Sequence, residues 1–262
     1  MITSPLFSGE PDKKLHEKCI YPTVMVTNGN GSGSSTGTII RSEKIKDGKY
    51  HNVVITTAHG LIDKLVISLP SYSNWSEITG TTRFPASMYY VNEEADLALA
   101  IFMSTKAMPT ADFGFKEKIF IGSKISRIGC GLGDAPRLEE GIISGISMRS
   151  ARGIENKVHR MSIHTLPGDS GGAVYHNYKI VGFTQSIRSG QQTNPFVSAE
   201  KYYHYAMAVR IRDLELVIAS EKGGLDFIKL NEKLPVFGYF KLKIEYLSQG
   251  QRAIPACPWI DN

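Results

Sequence analysis

Hydrophobic and polar positions alternate in short runs along most of the chain. Tyr21 to Thr27 (YPTVMVT) alternates and is rich in β-branched residues, and Asn28 to Gly33 (NGNGSG) then reads as a turn. Similar apolar runs recur at Thr38–Arg41, Val53–Thr57, Leu65–Leu69, Ser87–Val91 and Leu97–Phe102. After Pro109 they continue at Ile119–Ile121, Ile125–Ile128, Glu140–Ile146, Val158–Ile163, Ala173–Tyr175, Ile180–Gln185 and Tyr205–Val209. Short strands at this spacing, with no long helices between them, predict antiparallel barrels or a sandwich. One helix is predicted. Ile211–Ser220 places Ile211, Leu214, Val217 and Ile218 on one face, and Gly223-Gly224 ends it. The stretch Lys106–Phe113 (KAMPTADF) is the expected linker between two halves of similar size, and no repeat of fixed period is present.

Composition narrows the class. The 262 residues suit one large domain or two small ones. With 42% hydrophobic and 21% charged residues, disordered, collagen-like and coiled-coil chains are excluded. No apolar run approaches the roughly 20 residues of a membrane span. The first twenty positions show no signal-peptide core, so the expected location is the cytoplasm, with a viral or phage product in keeping. Three cysteines, Cys19, Cys130 and Cys257, cannot all pair and are expected to be ordinary thiols. The net charge of +5 is scattered, with no dense basic run. It is read as a solvated surface rather than a nucleic-acid footprint. No zinc-ligand spacing appears, and neither metal nor cofactor is expected.

Three segments carry chemistry. In ITTAHG a histidine, His59, follows an apolar strand where the chain turns; a capping or core histidine is the plain alternative. In DLALAI a carboxylate, Asp96, opens an apolar strand, where burial requires hydrogen bonds unless it is a turn aspartate. In PGDSGGAV a serine, Ser170, sits among three glycines before another strand, which also fits a flexible turn. The chemistry joins them. A serine hydroxyl needs a neighbouring base, histidine is the base suited to neutral pH, and a buried aspartate fixes its tautomer. The amides of Gly168 and Ser170 would supply oxyanion donors.

These residues, in the order His, Asp, Ser, resemble the landmarks of the chymotrypsin-like (trypsin-like) serine peptidases. GTII after GSGSS, TTAHG, DLALAIF and GDSGGAV all match in order. IGCG followed by EGIIS, and AMAV leading into the predicted helix, are similar to bacterial Deg-type members, here without room for a PDZ domain. The resemblance covers about residues 21–220. It implies an all-β fold of two antiparallel six-stranded barrels, about 21–105 and 114–210, followed by helix 211–220. Residues 1–20 and 221–262 are then extensions. It also implies a serine endopeptidase acting on a polypeptide, with His59 as general base, Asp96 orienting it and Ser170 as nucleophile. Membrane and nucleic-acid partners are not implied, and the oligomeric state is left open.

The sequence departs from the family at two places. Digestive members free an Ile-Val-Gly-Gly amine that pairs with the aspartate before the serine. No such motif occurs here, so Asp169 needs another partner or another way of ordering the loop. At the specificity pocket, His164 stands where trypsin-like specificity places an aspartate, and Thr165 follows it. A basic P1 residue is therefore not expected. Thr165 resembles the threonine of glutamate-specific members, but their further histidine is replaced by Thr184. Gln185 and Ser186 would edge the substrate groove, where a peptide adds as a strand. Two rivals remain. An α/β-hydrolase would need a helix after the serine and the order Ser, acid, His. A catalytically silent protease scaffold used for binding would be expected to have lost a triad member.

Overall fold

The computed structural model describes residues 11–210, apart from residues 46, 60, 62–63, 76, 93–95, 152–153 and 193–200. The predicted helix over 211–220 and the extension 221–262, including Cys257, lie outside the described residues.

Six strands close the first barrel: β1 (Thr23–Asn28), β2 (Ser34–Lys44), β3 (Tyr50–Thr56), β4 (Lys64–Ser73), β5 (Glu77–Asn92) and β6 (Leu97–Ser104). Their order around the barrel is β1-β2-β3-β6-β5-β4, with every neighbour antiparallel. The apolar run of β6 is continuous because both its faces are buried. Ala98, Ala100 and Phe102 point into the barrel with Val24, Val26 and Ile67. Leu97, Leu99 and Ile101 alternate with them and pack outward in one cluster with Ile128, Tyr175 and Phe183 of the second sheet. Gly37 faces the barrel interior, where a Cβ would lie 2.5 Å from Val54 Cγ1.

The second sheet comprises β7 (Asp112–Phe113), β8 (Lys124–Gly129), β9 (Arg137–Ala151), β10 (Ile154–Met161), β11 (Ala173–His176), β12 (Lys179–Gln192) and β13 (Lys201–Arg210). Six of these form an antiparallel ring, β8-β9-β10-β13-β12-β11, closed by the β11–β8 pairing. The expected linker is therefore not wholly irregular. Its last residues form β7, which lies parallel to β12 and makes this a sheet of seven strands. Residues 119–121 are not a strand. Phe120 and Ile121 are 64% and 67% exposed just before the turn at Gly122. Three apolar residues beside a turn were too short a run to identify a strand.

Residues 13–20 form a helical turn that the alternation did not reveal. Asp12 caps it by accepting from Leu15 N at 3.0 Å. Cys19 is fully buried, and its carbonyl accepts from Tyr175 Oη at 3.4 Å. Burial pushes the Cys19 and Cys130 thiols up to about 12, as suits inert packing groups. Among the described residues no helix is long and apolar enough to cross a membrane.

His51, on β3, is buried between Glu43 of β2 and Met103 of β6 in the register. Burial, and then the Arg41 charge, push its imidazole down to about 4. The unfolded chain therefore binds a proton that the native state refuses. Stability is lost as pH falls from the ordinary histidine range towards 4. Denaturant titrations of wild type and His51→Gln at pH 7 and pH 5 should show a different dependence of unfolding free energy on pH. Wild type should lose about 2 kcal/mol more than the variant over that interval.

Candidate active site

Strand register brings the first two residues together. β3 runs antiparallel to β6 with Thr56 opposite Ala98. His59 lies just past the end of β3 and Asp96 just before the start of β6, so the two meet. Asp96 Oδ1 accepts from His59 N at 2.9 Å, and its carbonyl accepts from Ala58 N at 3.3 Å. Asp96 adopts a left-handed backbone, φ 54°, which aspartate tolerates better than most residues. Its side chain is 12% exposed, so the carboxylate is held inside by these bonds.

Asp96 Oδ2 lies 2.7 Å from His59 Nδ1. An ionised carboxylate only accepts, which puts the proton on Nδ1. The other nitrogen, Nε2, is then an acceptor 3.2 Å from Ser170 Oγ. The hydroxyl also lies 3.4 Å from the Gln185 carbonyl, a longer alternative for the same proton. His59 is half exposed on the side away from Asp96. The three residues singled out from the sequence therefore form one hydrogen-bonded line.

Ser170 lies on the loop that enters β11 of the second sheet, and Thr36 of β2 ties that loop to the first barrel. Thr36 N donates to Ser170 O at 2.7 Å, and Thr36 Oγ1 donates to Gly168 O at 2.8 Å. The same hydroxyl accepts from Cys130 N at 2.7 Å. Thr56 Oγ1 donates to Thr36 O at 2.8 Å. Gly171, at φ 85°, makes this approach possible, since a Cβ there would sit 2.1 Å from Thr36 O. Sequence reasoning passed over Thr36, which looks like any strand threonine.

The peptide units around Ser170 are fixed through their carbonyls. Pro167 O accepts from Leu132 N at 2.6 Å, and Asp169 O accepts from Gly172 N at 3.0 Å. Trans peptides point each following N–H the opposite way. Those N–H groups are the Gly168 and Ser170 amides, and neither has an acceptor among the described residues. They are free to receive an anion. Gly168 itself is left-handed, φ 97°.

Asp169 has no exposed surface, and it does have a partner. Arg127 of β8, also fully buried, brings Nη1 to 2.7 Å from Asp169 Oδ1. Arg127 Nη2 donates to His164 O at 2.9 Å, and Leu166 N donates to Asp169 Oδ2 at 2.7 Å. Arg137 Nη2 adds a second positive charge 3.5 Å from Oδ2. Removing one member of such a pair typically costs about 3–5 kcal/mol. The clue was available in the sequence: an arginine inside the apolar run Ile125–Ile128 next to glycines.

The proposed pocket residues divide. Thr165, Thr184 and Gln185 are buried, whereas the His164 side chain is exposed. Neither Thr165 Oγ1 nor Thr184 Oγ1 has a hydrogen-bond partner among the described residues. Ser186 follows Gln185 on β12, paired with Met207 of β13. Among the described residues no group of His, Cys, Asp and Glu is arranged to hold a metal ion.

Comparison with known proteins agrees with this architecture. No curated protein matches the chain. Among solved structures, it is similar to the MamO protease domain of Magnetospirillum magneticum in its apo form, at 16% identity and a TM-score of 0.56. That match covers 78% of this chain and 98% of the other, and at this identity it speaks to the fold. Residues 35–182, more than half of the chain, match the trypsin-like peptidase domain. They run from β2, which carries Thr36, past the Ser170 loop into β12, and with the fold they place this protein in the trypsin-like peptidase family.

Proposed function

We propose that this protein is a serine endopeptidase that cleaves polypeptides through an acyl-enzyme. The observation that carries the reading is the unbroken line Asp96–His59–Ser170, with two unengaged amides beside the hydroxyl. Ser170 Oγ attacks the peptide carbonyl as its proton passes to His59 Nε2. Asp96 stabilises the imidazolium and keeps Nδ1 protonated. The carbonyl oxygen becomes an oxyanion held by the Gly168 and Ser170 N–H groups. Collapse of the tetrahedral intermediate breaks the C–N bond, and the proton on Nε2 goes to the leaving amine. Water, deprotonated by His59, then attacks the ester, and Ser170 leaves with its proton restored.

The pocket favours a polar P1 residue without positive charge. No acidic side chain stands at His164 or Thr165, and the buried Thr165 and Thr184 hydroxyls offer hydrogen bonds that a polar side chain can complete. His164 contributes to the pocket entrance.

A fluorophosphonate probe should label wild type and leave Ser170→Ala and His59→Ala unlabelled, with all three folded by circular dichroism. A folded wild type that takes no label supports a silent binding scaffold instead. His164→Ala should alter P1 preference in a peptide-library digest, and an unchanged profile removes His164 from the pocket. Thr36→Val keeps the shape but strands Gly168 O and Cys130 N. It should lower stability by about 1–3 kcal/mol in urea titrations and slow labelling as well.

A further inference from the structure

The Ser170 loop meets β8 at Gly129, where a Cβ would stand 2.4 Å from Asp169 Oδ1. The opposite end of β8 follows a turn that has no part in that site. Phe120 and Ile121 are 64% and 67% exposed there. Ile142 of β9, opposite Lys124 of β8, adds a third exposed apolar side chain. Ile119, by contrast, is half-buried and packs against the cluster of Ile125, Ile143 and Val174. The chain thus anchors one apolar residue in the core and turns the next two outwards. Single apolar residues on a surface are ordinary, but two in succession on a turn beside a third form a patch.

The turn also satisfies much of its own backbone. Phe120 N donates to Ser123 Oγ at 2.9 Å, and Ser123 N donates to Phe120 O at 3.0 Å. Gly122 N donates to Ile143 O at 2.8 Å, and Ile143 N donates to Ser123 O at 3.0 Å. Such closure matters most where a turn leaves water, because an unpartnered N–H or C=O is costly in lipid. The charge around the patch is basic. Lys116, Lys118 and Lys124 are exposed and lie within four residues of Phe120. Glu117, among them, is held by Lys179 Nζ at 3.2 Å and by Asn177 Nδ2 at 3.4 Å. Glu140, exposed on β9, stands opposite Ser126, two pairs further from the turn than Ile142.

We propose that this turn docks the protein on an anionic lipid surface, with Phe120 and Ile121 in the interfacial layer and Lys116, Lys118 and Lys124 against the headgroups. A protein partner would also bury the apolar pair, but it would call for neither the basic collar nor the closed backbone. β8 spans roughly 17 Å, so docking at its start leaves the Ser170 loop on the water side. The inference does not depend on the serine-peptidase reading.

The test is flotation of the full chain with vesicles of phosphatidylcholine alone, or with about one third phosphatidylserine added. Wild type should float with the mixed vesicles, stay behind with phosphatidylcholine alone, and bind less as salt rises. Phe120→Ser/Ile121→Ser should abolish flotation. Lys116→Gln/Lys118→Gln/Lys124→Gln should weaken binding about 100-fold, since each lysine contributes about fivefold. These side chains are exposed, so both variants should keep the wild-type circular dichroism; where the apolar double variant does not fold, Phe120→Ser alone replaces it and should still lower binding. A folded wild type that fails to float with the mixed vesicles overturns the proposal. So does a folded apolar variant that floats as wild type does, or equal binding to both kinds of vesicle. A wild type that stays off vesicles but elutes as a dimer, made monomeric by Phe120→Ser/Ile121→Ser, gives the patch to a second copy of the chain and overturns it too.

Discussion

The line Asp96–His59–Ser170 is drawn from both halves of the fold, so its geometry depends on how closely they meet, and that is decided at Thr36. The backbone and side chain of this one residue bond Ser170, Gly168 and Cys130. A 3.2 Å contact between His59 and Ser170 survives only if this seam holds to within a fraction of an ångström. Hydrogen bonds to a rigid strand can do that, whereas apolar packing alone tolerates sliding. Gly171 is the matching half of the constraint, because any side chain there would occupy the space of Thr36 O. The outward apolar face of β6 supplies the adhesive area, in one cluster with Ile128, Tyr175 and Phe183.

The two halves of the site are held in different ways. His59 and Asp96 need little beyond the β3–β6 register, since antiparallel pairing already sets the ends of those strands side by side. Ser170 sits on a loop with two left-handed glycines, and such a loop has many conformations open to it. It needs locks made of side chains. Thr36 supplies one from the first barrel, and Arg127 supplies the other from β8. The second is a buried ion pair, whose net contribution to stability is commonly small because desolvation offsets attraction. Asp169 is buried with Arg127 at 2.7 Å, Arg137 at 3.5 Å and the Leu166 amide at 2.7 Å.

Much of this was legible in the sequence for a physical reason. Catalytic groups need unusual backbone around them, so they announce themselves in short glycine-bearing or strand-end motifs such as PGDSGGAV and TTAHG. The alternating runs likewise marked most strands, because half-buried β-structure enforces period two. The remainder depended on partners far away in the chain. Thr36 and Arg127 occupy ordinary strand positions, and only three-dimensional closure shows that their neighbours are Gly168 and Asp169. β7 was hidden because two residues carry no period, and the turn at 13–20 because it is fixed by a cap at Asp12 and by the burial of Cys19. The Ile119–Ile121 run failed for the opposite reason, as composition suggested a strand where Phe120 and Ile121 are exposed among the described residues.

The residues of the proposed specificity pocket are bonded to the same groups that lock the Ser170 loop. Arg127 is bonded to the carbonyl of His164 and lies 2.7 Å from Asp169, so the segment at His164 and the Ser170 loop meet at one guanidinium. Thr184 exchanges backbone hydrogen bonds with Gly171 and Gly172, so the pocket wall and the loop beyond Ser170 are equally continuous. On the serine-peptidase reading, a P1 side chain beside Thr165 and Thr184 presses on the same peptide units that carry the Gly168 and Ser170 amides. Binding energy gained at P1 can then be expressed in the transition state as well as in the ground state. On that reading, the choice of residue at P1 and the rate of bond cleavage are two expressions of one set of hydrogen bonds.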